Sequence, residues 1–230
     1  MTRGYFVTGT DTGVGKTRVA AGLIAALRAQ GHRVAGMKPV ASGYVATPDG
    51  LRNEDALALI EASGLDLPYD WVNPYAFAQP IAPHIAAADA GRPIRFAPLK
   101  HALERLYDRA DRVVVEGVGG WRVPLGPDGD VADLAAALEL PVVLVVGLRL
   151  GCLNHAALTV ADLRRGGLSL VGWVASAVEP GFARAAENLA ALADIIDAPR
   201  LGVLAHRPLA SPSEVAASLQ LPCSAHARTS

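Results

Sequence analysis

The sequence predicts a single doubly wound α/β domain: a mostly parallel sheet with helices on both faces. Three observations carry this. Short apolar runs alternate with longer Ala- and Leu-rich segments from Tyr5 to Leu204. The runs Val113-Val114-Val115 and Val142-Val143-Leu144-Val145-Val146 lack two-residue alternation, as strands buried on both faces do. Hydrophobic residues make up 51% of the 230 residues and charged ones 19%, so the chain has the composition of a folded domain with a substantial core.

In chain order, strands are expected at Tyr5–Thr8, Val34–Met37, Arg112–Val115, Val142–Val146, Leu170–Ala175 and Leu201–Leu204. Between them, charges at helical spacing predict helices over Lys16–Ala29, Glu54–Ala62, Pro98–Arg109, Val131–Leu138, Asn154–Arg165 and Phe182–Ile196. Asn73–Arg95 is rich in Pro and Ala and reads as an irregular excursion with a short helix. The strand–helix rhythm defines one domain over residues 1–210. The tail, residues 211–230, loses periodicity and is expected to be partly loose.

Composition narrows the function classes. Lys plus Arg (21) nearly cancel Asp plus Glu (22), which argues against a nucleic-acid partner. Cys152 and Cys223 offer neither a disulfide framework nor metal-ligand spacing. No apolar run reaches membrane-spanning length, and the chain enters its first strand without a charged-then-apolar leader. A cytoplasmic protein with no membrane partner is expected.

Directly after Tyr5-Phe6-Val7 stands Gly9-Thr10-Asp11-Thr12-Gly13-Val14-Gly15-Lys16-Thr17. A strand, a glycine-rich turn and a helix place a row of N–H groups at a helix N-terminus, where the dipole also favours an anion. Lys16 would reach terminal phosphates and the Thr17 hydroxyl would sit on Mg²⁺. The first glycine, Gly9, comes one residue early; the standard loop has glycine where this chain has Thr10. A mere glycine turn with an exposed lysine would not need the strand and helix around it. The reading is a P-loop NTPase type of domain with a nucleoside triphosphate cradled by Gly13, Val14, Gly15, Lys16, Thr17 and Arg18.

Ligands of open parallel sheets sit at the carboxyl ends of the strands, so the residues just past each strand are the best test of a site. The second strand ends in Lys38-Pro39-Val40-Ala41-Ser42-Gly43, and the proline pushes Lys38 into an extended conformation that projects it toward the phosphate loop. A second cation there suits phosphoryl transfer; the competing reading is a surface lysine. The Arg112 strand runs into Glu116-Gly117-Val118-Gly119-Gly120, where Glu116 could reach Mg²⁺ or simply cap a loop. The Val142 strand leads to Gly151-Cys152-Leu153-Asn154, a helix start able to bind a carboxylate or simply capped by Asn154. Asp55, behind the capping Asn53, reads on pattern alone as a first-turn acid complementing the helix dipole.

Together these segments resemble dethiobiotin synthetases, the ATP-dependent carboxylase-cyclases of biotin biosynthesis. The resemblance rests on the phosphate loop, Lys38-Pro39-Val40-Ala41-Ser42-Gly43, Gly50-Leu51-Arg52-Asn53 with Asp55-Ala56-Leu57, and Val72-Asn73-Pro74-Tyr75. Pro83-His84, Glu116-Gly117 with Gly119-Gly120-Trp121, Gly151-Cys152 with Asn154-His155, and Gly172-Trp173-Val174-Ala175 extend it to Ala175. It implies a substrate, 7,8-diaminopelargonic acid, and CO2 or bicarbonate. It also implies Lys16 and Lys38 as catalytic cations and Thr17, Asp55 and Glu116 around Mg²⁺. Gly117, Val118 and Gly119 would join the nucleotide site, and Ser42 would meet the diamine end. Gly151, Cys152 and Asn154 would bind the substrate carboxylate across a homodimer. Where the family commonly reads the nucleotide base with an asparagine, this chain has Ser176-Ala177, and its later base-contacting loop reads Ala205-His206-Arg207. Losing an amide weakens base discrimination; ATP remains the expected nucleotide, with relaxed preference as the hypothesis to test.

Two other readings share the phosphate loop. A cobyrinate-amidating ligase would bring a glutamine-hydrolysing domain for which this chain has no room. A ParA- or MinD-like switch would carry a lysine at the place of Asp11 and a basic face or amphipathic tail, and the sequence has neither.

Overall fold

The structure, a computed structural model, describes residues 2–222. β1 (Gly4–Gly9) leads through the glycine loop into α1 (Lys16–Ala29) and then β2 (Val34–Met37). Short strands β3 (Val40–Ser42), β4 (Val45–Thr47) and β5 (Gly50–Arg52) precede α2 (Glu54–Ser63) and α3 (Tyr69–Val72). β6 (Tyr75–Phe77) and α4 (Pro83–Asp89) make up the irregular excursion, followed by α5 (Phe96–Tyr107) and β7 (Arg112–Glu116). The hairpin β8 (Pro124–Gly126) and β9 (Gly129–Asp130) runs into α6 (Val131–Leu138), β10 (Val142–Leu148) and α7 (Cys152–Arg165). β11 (Leu170–Ala177), α8 (Ala185–Ile195), β12 (Arg200–Leu204) and α9 (Pro212–Ala216) complete the described chain.

The main sheet is six-stranded in the order β12-β11-β10-β1-β7-β2, with parallel pairing throughout. Its apolar runs are continuous because both faces are covered. Tyr5, Val7, Val114, Val143 and Val145 pack toward α1, α2 and α9. Phe6, Val113 and Val115 point the other way, among side chains from α5 and α6. Leu144 and Val146 join Trp173 beneath α7 and α8. Alternation along each strand thus supplies a core on either side of the sheet, and only the edge strand β12 turns side chains such as Val203 to solvent. Each predicted strand and helix is present; the differences are short strands off the main sheet and shifted helix ends. β3 and β6, which pairing in the main sheet does not include, form their own parallel pair.

The C-terminal stretch that is described is docked. Ser211 and Glu214 form a reciprocal capping box at the start of α9, and Val215 is buried against α1. Residues 223–230, which include Cys223, lie outside the described residues. Gly22 makes this docking possible: a Cβ there would stand 2.4 Å from Val215 Cγ1 and 3.1 Å from Leu219 Cδ1. Gly22→Ala gains about 1 kcal/mol of helix propensity, but the stiff valine cannot swing aside. The expected net effect is a loss of about 1–2 kcal/mol in urea unfolding. Val215→Ala should recover part of that loss in the double variant, and a Gly22→Ala protein more stable than the parent would refute the tight contact. Among the described residues, no helix is long and apolar enough to cross a membrane.

Candidate active site

β10, β1, β7 and β2 are successive neighbours in the sheet, so the four sequence segments read as a site do meet at one edge. After β1 the chain builds β2 and β7 on one side, then β10 to β12 on the other, which opens a crevice at the strand ends. A cavity of about 750 Å³ occupies it, lined by Gly13, Gly15, Lys16, Thr17, Arg18, Lys38, Ser42, Asp55, Glu116, Val118 and Gly119.

Gly13 and Gly15 adopt φ of 71° and 91°, a turn that side chains disfavour. Gly15 caps α1 with no side-chain hydrogen bond, which leaves the first-turn N–H groups for an anion. Val14 faces inward; it is buried against Gly9 and Gly147, so only its backbone serves the loop. The Lys16 Nζ donates to the Asp11 carbonyl at 2.9 Å. Burial pulls the Lys16 ammonium down to about 8; Glu116 opposes the fall, Lys38 adds to it, and Asp55 and Asp11 oppose it.

Lys38 is 2% exposed, which excludes a surface lysine. Its Nζ lies 2.6 Å from Glu116 Oε1 and 2.7 Å from Asp55 Oδ2, and it donates to the Gly117 carbonyl at 3.3 Å. Burial alone would lower its pKa, but Glu116 and Asp55 outweigh burial and hold it above the ordinary lysine value. Glu116 is 1% exposed, and burial raises its carboxyl despite Lys38. Burial also pushes Asp55 upward, but Lys38 overrides it and the net direction is down. Asp55 stands in the first turn of α2 behind Asn53, which accepts from Ala56 N at 3.2 Å. The dipole position and the active-site position are therefore the same position.

Thr17 Oγ1 lies 2.8 Å from Asp55 Oδ1 and 2.9 Å from Glu116 Oε1. A hydroxyl has one proton, so it cannot satisfy both oxygens. Glu116 Oε2 is buried with no partner among the described residues. Three converging hard oxygens with one unmet acceptor fit a small divalent cation. Ser42 ends β3, and its buried hydroxyl is likewise without a partner in the cavity wall.

One correction concerns the helix after β10, whose start the structure shifts. Gly151, Cys152 and Asn154 do not line this cavity. The helix starts two residues earlier than predicted: Gly151, with φ 94°, takes the cap position without a side-chain bond, and Asn154 falls inside the first turn. Cys152 is buried among Leu144, Ala156 and Trp173, so it offers a ligand its backbone alone. Sequence reasoning missed Thr12 and Pro80–Pro83 as cavity walls. It also missed the Asp11–Arg149 ion pair, which no spacing signals because 138 residues separate them.

Comparison with known proteins decides the family. A family model described as an AAA domain matches residues 3–214. A protein of Xanthomonas euvesicatoria pv. vesicatoria named ATP-dependent dethiobiotin synthetase is 51% identical over 218 residues, 95% of this chain and 97% of the relative. The chain belongs to the dethiobiotin synthetase family. A dethiobiotin synthetase of Aromatoleum aromaticum is 52% identical over 220 residues, covering 96% of this chain and 98% of the relative. Solved structures add the fold alone. MinD of Pyrococcus horikoshii with Mg-ADP superposes with a TM-score of 0.54 at 17% identity, over 95% of this chain and 87% of that one. Cobyrinic acid a,c-diamide synthase of Mycobacterium smegmatis gives 0.53 at 22% identity, over 94% and 91%. The two competing readings thus share the scaffold with dethiobiotin synthetases but not the sequence.

Proposed function

We propose that this chain is the ligase that carboxylates 7,8-diaminopelargonic acid and closes its cyclic urea at the expense of ATP. The observation that carries the proposal is the buried Lys38 held between Glu116 and Asp55 beside the phosphate loop. One amine of the substrate takes up CO2, losing a proton, to give a carbamate. The carbamate oxygen attacks the terminal phosphorus of ATP and ADP leaves. The second amine then attacks the activated carbonyl carbon and expels phosphate, closing the ring. Each species is anionic, so positioning and neutralisation supply the catalysis.

Lys16 would hold the transferring phosphoryl oxygens, and the first-turn N–H groups of α1 would cradle the phosphates together with Gly13, Val14 and Gly15. Thr17, Asp55 and Glu116 would hold Mg²⁺, which when bound offsets the negative charge of the triphosphate. Lys38, buried beside these carboxylates, would offer its charge to the carbamate. Ser42, whose hydroxyl has no partner among the described residues, would accept from or donate to the diamine end. Gly151, Cys152 and Asn154 would bind the substrate's distal carboxylate in a second subunit. Their exclusion from their own chain's cavity supports that reading, as does the exposure of neighbouring Leu150 and Leu158. The proposed compartment is the cytoplasm.

The test is phosphate release from ATP and Mg²⁺ with and without the diamine and bicarbonate, following dethiobiotin by mass. Release matched to dethiobiotin is expected; ATP turnover indifferent to the diamine overturns the proposal. Base preference is read in the same assay. Ser176 is buried, its hydroxyl has no partner among the described residues, and it stands where the family resemblance implies a base-reading amide. Comparable rates with ATP, CTP and GTP are expected, and strict ATP dependence refutes relaxed recognition.

A further inference from the structure

We propose that Tyr69 and Asn73 are positioning residues: a side-chain clasp that sets Lys38 and Asp55 at their working separation. The proposal rests on the function assigned above to those two groups.

Lys38 lies just past the end of β2, and the next residue, Pro39, has no N–H to give. Segment 72–73 supplies what the sheet does not. Lys38 N donates to the Val72 carbonyl at 2.8 Å, and Asn73 Nδ2 donates to the Lys38 carbonyl at 2.6 Å. The same amide reaches the Tyr75 carbonyl at 3.2 Å, so both its protons are engaged. Asn73 is 2% exposed, and water cannot replace these bonds.

The Tyr69 hydroxyl joins this group to α2. It donates to Asn73 Oδ1 at 2.9 Å and accepts from Asn53 N at 2.8 Å. Asn53 caps the helix whose first turn carries Asp55, and its Nδ2 donates to the Gly43 carbonyl at 3.1 Å, beside Ser42. A closed circuit results. Lys38 and Asp55 meet through their side chains at 2.7 Å, and their backbones are joined through Asn73, Tyr69 and Asn53. The two side chains already touch, so the spacing of their backbones decides whether each can also reach a ligand. The clasp holds the backbone fixed, so the ammonium stays available when its carboxylate partners are engaged elsewhere.

Tyr69→Phe removes the hydroxyl and keeps the ring, over which the Arg52 guanidinium sits at 4.4 Å. The expected result is a fall in kcat of about tenfold, the scale of one hydrogen bond, with KM for ATP and for the diamine within about twofold of wild type. Arg52→Ala is the control. It removes the stacking and some stability but spares the clasp, so kcat is expected to stay at the wild-type level. A Tyr69→Phe enzyme with wild-type kcat overturns the proposal, and so does Arg52→Ala losing kcat as Tyr69→Phe does. A second readout needs no diamine. Mg²⁺ enhancement of ATP affinity, measured by titration calorimetry, should shrink several-fold in Tyr69→Phe; unchanged enhancement also overturns the clasp. Wild-type protein that ignores the diamine removes the proposed function instead and leaves the clasp to be judged on this second readout.

Discussion

Lys38→Met is expected to reduce dethiobiotin formation by about a thousandfold, the scale of losing a preorganised charge at a transition state. Methionine fills much of the space, so the loss reads charge rather than volume. Stability should move as well. Glu116 is buried at 1% exposure, and without Lys38 its carboxylate has no ammonium 2.6 Å away. Removing one member of a buried pair costs about 3–5 kcal/mol when the other stays charged. Glu116 escapes by holding its proton: its folded pKa, already raised by burial, rises further. A carboxyl whose pKa is raised on folding binds more protons folded than unfolded, so stability falls as pH climbs above its unfolded value. The variant should therefore be closest to wild type in urea unfolding at acidic pH, where both states carry the proton, and furthest from it at neutral pH. A destabilisation independent of pH would show that Glu116 is not the group left behind.

Lys16→Gln is expected to cost about a thousandfold in kcat/KM and yet stabilise the free protein. The Lys16 ammonium is lowered to about 8 chiefly by burial, so the unliganded fold carries a charge it partly rejects. A base whose pKa is lowered on folding binds fewer protons folded than unfolded, and its destabilising effect is fullest at neutral pH. Removing it should raise neutral-pH stability by about 1–2 kcal/mol, a trade of stability against function. Phosphate oxygens reverse the burial penalty on Lys16. At pH 8, ATP binding to wild type should therefore take up about half a proton, and binding to Lys16→Gln none. Calorimetry in buffers of different ionisation enthalpy measures this, and equal uptake by both proteins would exclude Lys16 as the group concerned.

Both predictions turn on charges brought together from distant parts of the chain. Lys38 just past β2, Asp55 on α2 and Glu116 on β7 come from three separate segments, and the meeting of Lys38 with Glu116 follows from the placement of β7 between β1 and β2. Spacing along the chain carries no trace of that placement for Asp55, whose first-turn position satisfies the helix dipole equally well. Ser42 was visible as a polar residue after a strand. Its orphaned hydroxyl was not, because β3 leaves the main sheet to pair with β6.

By itself the sequence determined what depends on near neighbours. The phosphate loop, the six main strands, the helices between them and the extended backbone at Lys38-Pro39 all arise from local sterics and apolar periodicity. The motifs also carried the resemblance that the relatives bear out. Only the tertiary structure decided which acids face which lysines, that Lys38 is buried, that Asn154 lies inside its helix, and that α9 docks on Gly22. Those outcomes depend on which strands become neighbours and on what solvent can no longer reach, and neither is a property of any short stretch of chain.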